Sequence, residues 1–223
     1  MLQKFDTPAP IAAVLDISAG RVQVIAADRA DTTIEVRPAN ASKSRDVKMA
    51  EETTIDYRDG VLRVATPAGN QILGPSGSVE VTVQVPAGSR VEAKAAAAEF
   101  RGVGRLGDVA FEGANGTIKI DEAASVRLSA LAGDVVVGRL NGPAEISTQK
   151  GDIRIAEAVR GSVVLSAQAG NLSVGVVPGA SATLDAGTTF GRVQNSLNNT
   201  KGADAELAIT ATTAYGDIEA RSL

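Results

Sequence analysis

Gly133-Asp134-Val135-Val136-Val137 is followed 18 residues on by Gly151-Asp152-Ile153-Arg154-Ile155, and 19 residues after that by Gly170-Asn171-Leu172-Ser173-Val174. The same glycine-polar-apolar-x-apolar pattern opens at Gly116-Thr117-Ile118, Gly191-Arg192-Val193 and Gly216-Asp217-Ile218, so the glycines stand 17, 18, 19, 21 and 25 residues apart. A near-constant period of this length is the mark of a solenoid, in which every coil repeats the one before. Strands folding back as hairpins need no such equality, so a β-sandwich is the alternative that the spacing disfavours.

A second apolar column interleaves with the first: Val91, Val109, Val126, Ala144, Val163, Ala182 and Leu207. Two residues beyond each column lies another apolar set, including Phe111, Leu128, Ile146, Leu165, Leu184 and Ile209 in one and Ile120, Val137, Ile155 and Val174 in the other. That is period-two alternation, with Arg127, Glu145, Lys119 and Arg154 among the intervening outward positions. The reading is an all-β chain with a single-stranded, right-handed β-solenoid of about 18–19 residues and two strands per coil. Seven coils between Val91 and Ala220 would stack to about 34 Å. The glycine column supplies positive φ at one corner of each coil. Asn195 to Gly202 stretches the last interval to 25 residues and reads as a protruding loop, a good place for recognition on a rigid scaffold.

Residues 1–88 keep strand character without the period, at Ile11–Ile17, Gly20–Ala26, Thr32–Arg37, Thr53–Tyr57, Gly60–Ala65 and Ser78–Val85. Asp59-Gly60 between two alternating runs predicts a hairpin, and this irregular part is expected to cap the first coil's edge. Ser89 to Glu99 holds five alanines and a candidate helix cap in Ser89. Its alternation, in register with Val109 and Phe111, makes it a strand instead. The chain is expected to form one elongated domain, 1–88 irregular and 89–223 regular repeats.

Aromatic residues make up 3% of the chain against 44% apolar residues overall, which describes a thin core of short aliphatic layers. The net charge is −4, with no long basic run, which speaks against nucleic acid. The densest basic stretch, Lys43 to Lys48, reads as a solvated loop. No apolar run of about 18 residues suits a membrane helix, so direct membrane insertion is not expected. Met1 to Asp6 has no basic leader and apolar run, so the expected location is cytoplasmic.

Zero histidines and zero cysteines remove imidazole and thiolate chemistry altogether. Asp134 and Asp152, one coil apart with Lys150 and Arg154 nearby, are the sharpest constellation, because polysaccharide-cleaving β-helices stack acids beside a basic residue. Gly-Asp is also an ordinary turn dipeptide whose carboxylate caps corner amides, and Thr117, Asn171 and Arg192 at the same position favour that reading. Arg21, Arg37, Arg63, Arg101, Arg105 and Arg139 are scattered. Tyr57, Tyr215, Phe5 and Phe190 are candidate aromatic anchors. Gly102-Val103-Gly104-Arg105-Leu106-Gly107 has the letters of a nucleotide loop but leads into a strand. No catalytic, cofactor-binding or metal-ligating residue is assigned.

The Gly-Asp-apolar-x-apolar repeats, with the Val85-Pro86-Ala87-Gly88 and Val177-Pro178-Gly179 turns, resemble the bacterial β-strand-repeat "putative adhesin" family, also called the toastrack domain, and its actinobacterial members. The resemblance implies a solenoid-like scaffold, in several relatives joined to membrane segments and associated with envelope-stress signalling. The expected function is a non-enzymatic binding or scaffolding module. It would engage a protein partner or another copy of itself through exposed sheet faces or terminal edge strands. A surface adhesin or carbohydrate-binding role comes second and a glycan-active enzyme third.

Overall fold

The computed structural model describes residues 1–67 and 77–223, and the chain divides into two compact units, Met1–Gly116 and Thr117–Leu223. In the first unit the strands are β1 (Leu2–Asp6), β2 (Ala12–Ala27), β3 (Asp31–Pro38), β4 (Thr54–Arg58), β5 (Val61–Ala65), β6 (Val79–Pro86) and β7 (Arg90–Asn115), with one helix, α1 (Ser44–Glu52). β2 is a whole coil. Its Ala12–Asp16 half lies between β5 and β7, its Gly20–Ala27 half lies between β6 and β7, and every one of these pairings is parallel. Leu15, Ile17, Val22 and Val24 point inward and are buried.

The outer strands of this unit run antiparallel. β4 folds onto β5 through Asp59 and Gly60, at φ 51° and 77°, the two-residue turn that Asp-Gly signals. On the other wall β3 pairs with β6 and β1 with β3. The outermost strands of the two walls meet through Phe5 and Tyr57, whose rings lie 4.9 Å apart. Helix α1 corrects the reading of Lys43–Lys48 as a loop. Met49 and Ala50 bury its apolar side, and the Asp46 carboxylate accepts the backbone N–H groups of Asn40 at 3.1 Å and Ser78 at 3.0 Å. A nine-residue helix with no side-chain cap has little stability of its own, so its signal lies in tertiary contacts absent from local sequence.

The second unit contains β8 (Ile118–Ala132), β9 (Val135–Leu140), β10 (Ala144–Lys150), β11 (Ile153–Ala158), β12 (Gly161–Ala169), β13 (Leu172–Val176), β14 (Ala182–Phe190), β15 (Val193–Ser196), β16 (Leu207–Tyr215) and β17 (Ile218–Ser222). All its pairings are parallel. Val135, Ile153 and Leu172 lie on neighbouring strands, as the repeat requires. One wall runs β8, β10, β12, β16, β14 and the other β8, β9, β11, β13, β17, β15. The last coil in sequence is therefore not the last in space: β16 and β17 slide between β12–β13 and β14–β15.

This order corrects the column drawn through Val163, Ala182 and Leu207. Val163 stands beside Ile209, which stands beside Leu184, while Leu207 stands beside Gly161 and Ala182. The register differs by two residues, and a two-residue slip keeps every inward side chain inward. Alternation alone cannot detect it.

The two units share a device. In the first, the inserted coil β2 separates β6 from β7; in the second, the inserted coil β16–β17 separates β13 from β14. The connection must therefore rise two strand spacings, about 10 Å, in place of one. Both connections carry the same Val-Pro-small-small-Ser pattern, Val85-Pro86-Ala87-Gly88-Ser89 and Val177-Pro178-Gly179-Ala180-Ser181. Both serines are buried, at 0% and 2% exposure. Ser89 Oγ accepts the N–H of Ile11 at 3.0 Å, at the entry to the inserted coil, and donates to the Pro86 carbonyl at 2.7 Å. Ser181 Oγ accepts the N–H groups of Thr200 and Lys201 at 3.1 and 3.2 Å, on the way into the other. A protruding loop was expected over Asn195–Gly202; Asn195 and Ser196 instead end β15, and residues 197–202 form a pinned crossover. Replacing Ser89 by alanine strands the buried Ile11 N–H and is expected to lower stability by about 1–3 kcal/mol, and replacing Ser181, whose donors belong to exposed residues, by less, read from urea unfolding midpoints.

Candidate functional site

At the glycine corner of the second unit the coils that carry Asp134, Asp152, Asn171 and Asp217 each present an Asx side chain to the next. Asp134 Oδ1 accepts the N–H of Asp152 at 2.9 Å, Asp152 Oδ1 that of Asn171 at 2.7 Å, and Asn171 Oδ1 that of Asp217 at 2.9 Å. Asp217 Oδ1 accepts the N–H of Arg192 at 2.8 Å. The chain of bonds runs 134, 152, 171, 217, 192, which repeats the spatial order of the coils. Glycine precedes each Asx for a steric reason: a Cβ on Gly151, at φ 140°, would lie 2.2 Å from the Gly133 carbonyl oxygen.

The carboxylates of Asp134 and Asp152 therefore act as corner caps. Among the described residues no group of three or more acids could hold a metal ion. Because Asn171 already performs the same task, Asp152→Asn is expected to leave stability within about 0.5 kcal/mol, while Asp152→Ala loses about 1 kcal/mol by freeing the Asn171 amide. Thermal unfolding of the two variants checks this, and equal loss in both would show that charge, not the cap, matters.

The other sequence candidates do not converge. Arg21 pairs with Glu99 at 3.0 Å and Glu80 at 3.6 Å, Arg37 with Glu35 at 2.7 Å, Arg105 with Asp28 at 3.6 Å and Arg139 with Glu157 at 2.6 Å. Arg63 stands opposite Asp56 across the β4–β5 hairpin and Arg101 beside Gln23 on β2. Lys150 and Arg154 lie on β10 and β11, Lys150 beside Ala132 and Ala169 and Arg154 beside Val136 and Ser173. A groove of about 370 Å³ between Gly20, Arg21, Glu80, Glu99 and Gly116 is lined by those already paired charges. Gly104 and Gly107 are stacking glycines: a Cβ on either would meet the carbonyl oxygen of Ala26 at 2.1 Å or of Gly88 at 2.5 Å. Asp31 is held down to about 2 by hydrogen bonds from Arg29 and then Lys4. It fastens the edge strand β1 to β3 through a Lys4 contact of 2.9 Å.

What remains is the terminal coil. Along one inward column Val135, Ile153, Leu172 and Ile218 are at most 1% exposed, whereas Val193 is 44% exposed. Phe190 and Tyr215 stack at 5.0 Å with planes 7° apart, at 62% and 59% exposure. Among the described residues β14 has one strand partner, β16, and β15 has one, β17. Terminal edge strands were expected as a pairing surface, and β14 and β15 are such strands. Asn195, on the inward column beside Ala220 where other coils place Ile155 and Val174, is the signal that marks the true end.

A family model described as toastrack DUF4097 matches residues 13–222. Among solved structures, a "putative adhesin" from Bacteroides fragilis is 10% identical with a TM-score of 0.50, over 99% of this chain and 96% of that one. A "putative adhesin" from Parabacteroides distasonis is 12% identical with a TM-score of 0.49, over 98% and 96%. A "putative lipid binding protein" from the same species is 10% identical with a TM-score of 0.49, again over 98% and 96%. At 10% identity the first of these speaks to fold alone. No curated protein matches the chain.

Proposed function

The chain belongs to the toastrack DUF4097 family, and from that premise we propose that it is a non-enzymatic binding or scaffolding module that engages protein through its terminal edge strands. The observation that carries this reading is the Asx ladder. Asp134, Asp152 and Asp217 each spend Oδ1 on the N–H group of a neighbouring coil, as Asn171 does. The backbone groups along the outer side of β14 and β15 are where an extended partner can add hydrogen bonds. A tie to envelope-stress circuits rests on the family resemblance and extends the proposal.

The test is turnover. Purified full-length chain is expected to release no products from a panel of acidic and neutral polysaccharides, with or without calcium. Cleavage that disappears in Asp134→Asn or Asp152→Asn would make the chain an enzyme and remove the reading. A carbohydrate-binding role comes second, on one observation: the stacked, exposed rings of Phe190 and Tyr215 form a flat apolar platform. Glycan binding on an array that is lost in Tyr215→Ala would favour it.

A further inference from the structure

The free side of β14 has a defined geometry. Leu207 donates its N–H to the Ser181 carbonyl, which turns the odd-numbered residues at the start of the strand toward β16. By alternation, the N–H and C=O groups of Leu184, Ala186 and Thr188 point the other way. Ala182, of the same parity, confirms this: its N–H meets the Asn198 carbonyl at 3.1 Å, so the crossover covers that end and the strand is open from Leu184 to Phe190.

Protein edges are usually protected by prolines, lysines or bulges. The span Leu184-Asp185-Ala186-Gly187-Thr188-Thr189-Phe190 has one charge, no proline and no lysine. The first unit's outer strands differ: β1 carries Lys4 and Asp6, and β4 carries Asp56 and Arg58.

The open span is also complementary to itself. We infer that β14 pairs antiparallel with the β14 of a second copy of this chain, about a twofold axis through Gly187. Leu184 then stands opposite Phe190 of the second copy, Asp185 opposite Thr189 and Ala186 opposite Thr188. The even positions keep their inward direction, so half-buried Leu184 and the exposed Phe190 ring cover one another. The two Asp185 side chains are four residues apart along the strands, about 13 Å, and do not oppose. At the axis a residue faces its own copy, and Gly187 has open space there, with nothing within 4 Å of a Cβ. A register centred on Ala186, which also keeps hydrogen-bonded pairs, would drive Phe190 of one copy onto the Ala182 amide that Asn198 occupies. This pairing rests on the binding-module reading and names its partner.

The chain has no cysteine, so a single introduced thiol reports on contact with a second copy alone. Gly187→Cys would sit at a non-hydrogen-bonded pair, with Cα atoms about 4.5 Å apart, within disulfide reach. Asp185→Cys would not. The expected results are a mass twice 22.7 kDa by sedimentation equilibrium of the full chain, rapid oxidation of Gly187→Cys to a covalent dimer, and at least tenfold slower cross-linking of Asp185→Cys. Gly187→Asp, which opposes like charges at an open position without touching the core, is expected to weaken the dimer roughly tenfold. A monomer at all concentrations up to about 1 mM overturns the pairing, as do a dimer that cross-links equally through both cysteines, one indifferent to Gly187→Asp, and an edge sealed by a different protein. In each of these cases the binding-module reading stands unless polysaccharide turnover depending on Asp134 or Asp152 is also found.

Discussion

Gly151→Ala is expected to lose about 3–5 kcal/mol of stability, enough to unfold many domains of this size. Two costs combine. The residue holds φ at 140°, where a β-carbon is strained in any surroundings. The added carbon would also lie 2.2 Å from the Gly133 oxygen and 2.6 Å from its carbonyl carbon, both backbone atoms of the coil below. Relief would mean separating two coils, with loss of parallel-ladder hydrogen bonds on either side of the corner. Gly187→Ala is the control, since Gly187 has normal φ and empty surroundings, and alanine is the better strand residue by roughly 0.5–1 kcal/mol. Urea unfolding of the two variants is expected to differ in midpoint with unchanged slope. Equal stability would mean that the corner glycines are not required by coil stacking.

That corner is also where the sequence was most readable. Glycine followed by Asx recurs because two independent physical demands, close carbonyl approach and an amide acceptor, fall on adjacent residues of every coil. Both leave a residue-type signature. The inward columns of Val135, Ile153 and Leu172 were legible for the same reason, and so was the Asp59-Gly60 hairpin, whose φ values few residues tolerate. Ser89–Glu99 was a conflict between helix propensity and alternation, and tertiary register decided it: Val91, Ala93 and Ala95 are buried on β7. Helix α1 was not legible, because what holds it is the Asp46 carboxylate reaching the Ser78 amide 32 residues away. The insertion of whole coils was hidden because spacing reports chain length, and a two-residue slip preserves alternation. The doubled Val-Pro-small-small-Ser wording did mark both insertions, but its meaning appears only once Ser89 and Ser181 are seen accepting amides from chain entering the inserted coil.

The threading of the second unit makes an opposite forecast from sequential stacking. With β17 inside and β15 at the end, Ile218 is 1% exposed between Leu172 and Val193, while Val193 is 44% exposed. Ile218→Ala is therefore expected to cost about 3–4 kcal/mol, the range for emptying a packed aliphatic site. Val193→Ala is expected to cost under about 1 kcal/mol, since most of its side chain already meets solvent. If the coils followed chain order, Val193 would be sealed between Leu172 and Ile218, and the two values would exchange rank. Denaturant unfolding of both variants, in protein diluted below any self-association, decides the order. The stakes reach past topology, because the same threading leaves β14 rather than β16 as the free edge. A result in which Val193→Ala is the costlier change would remove the surface on which the twofold pairing depends.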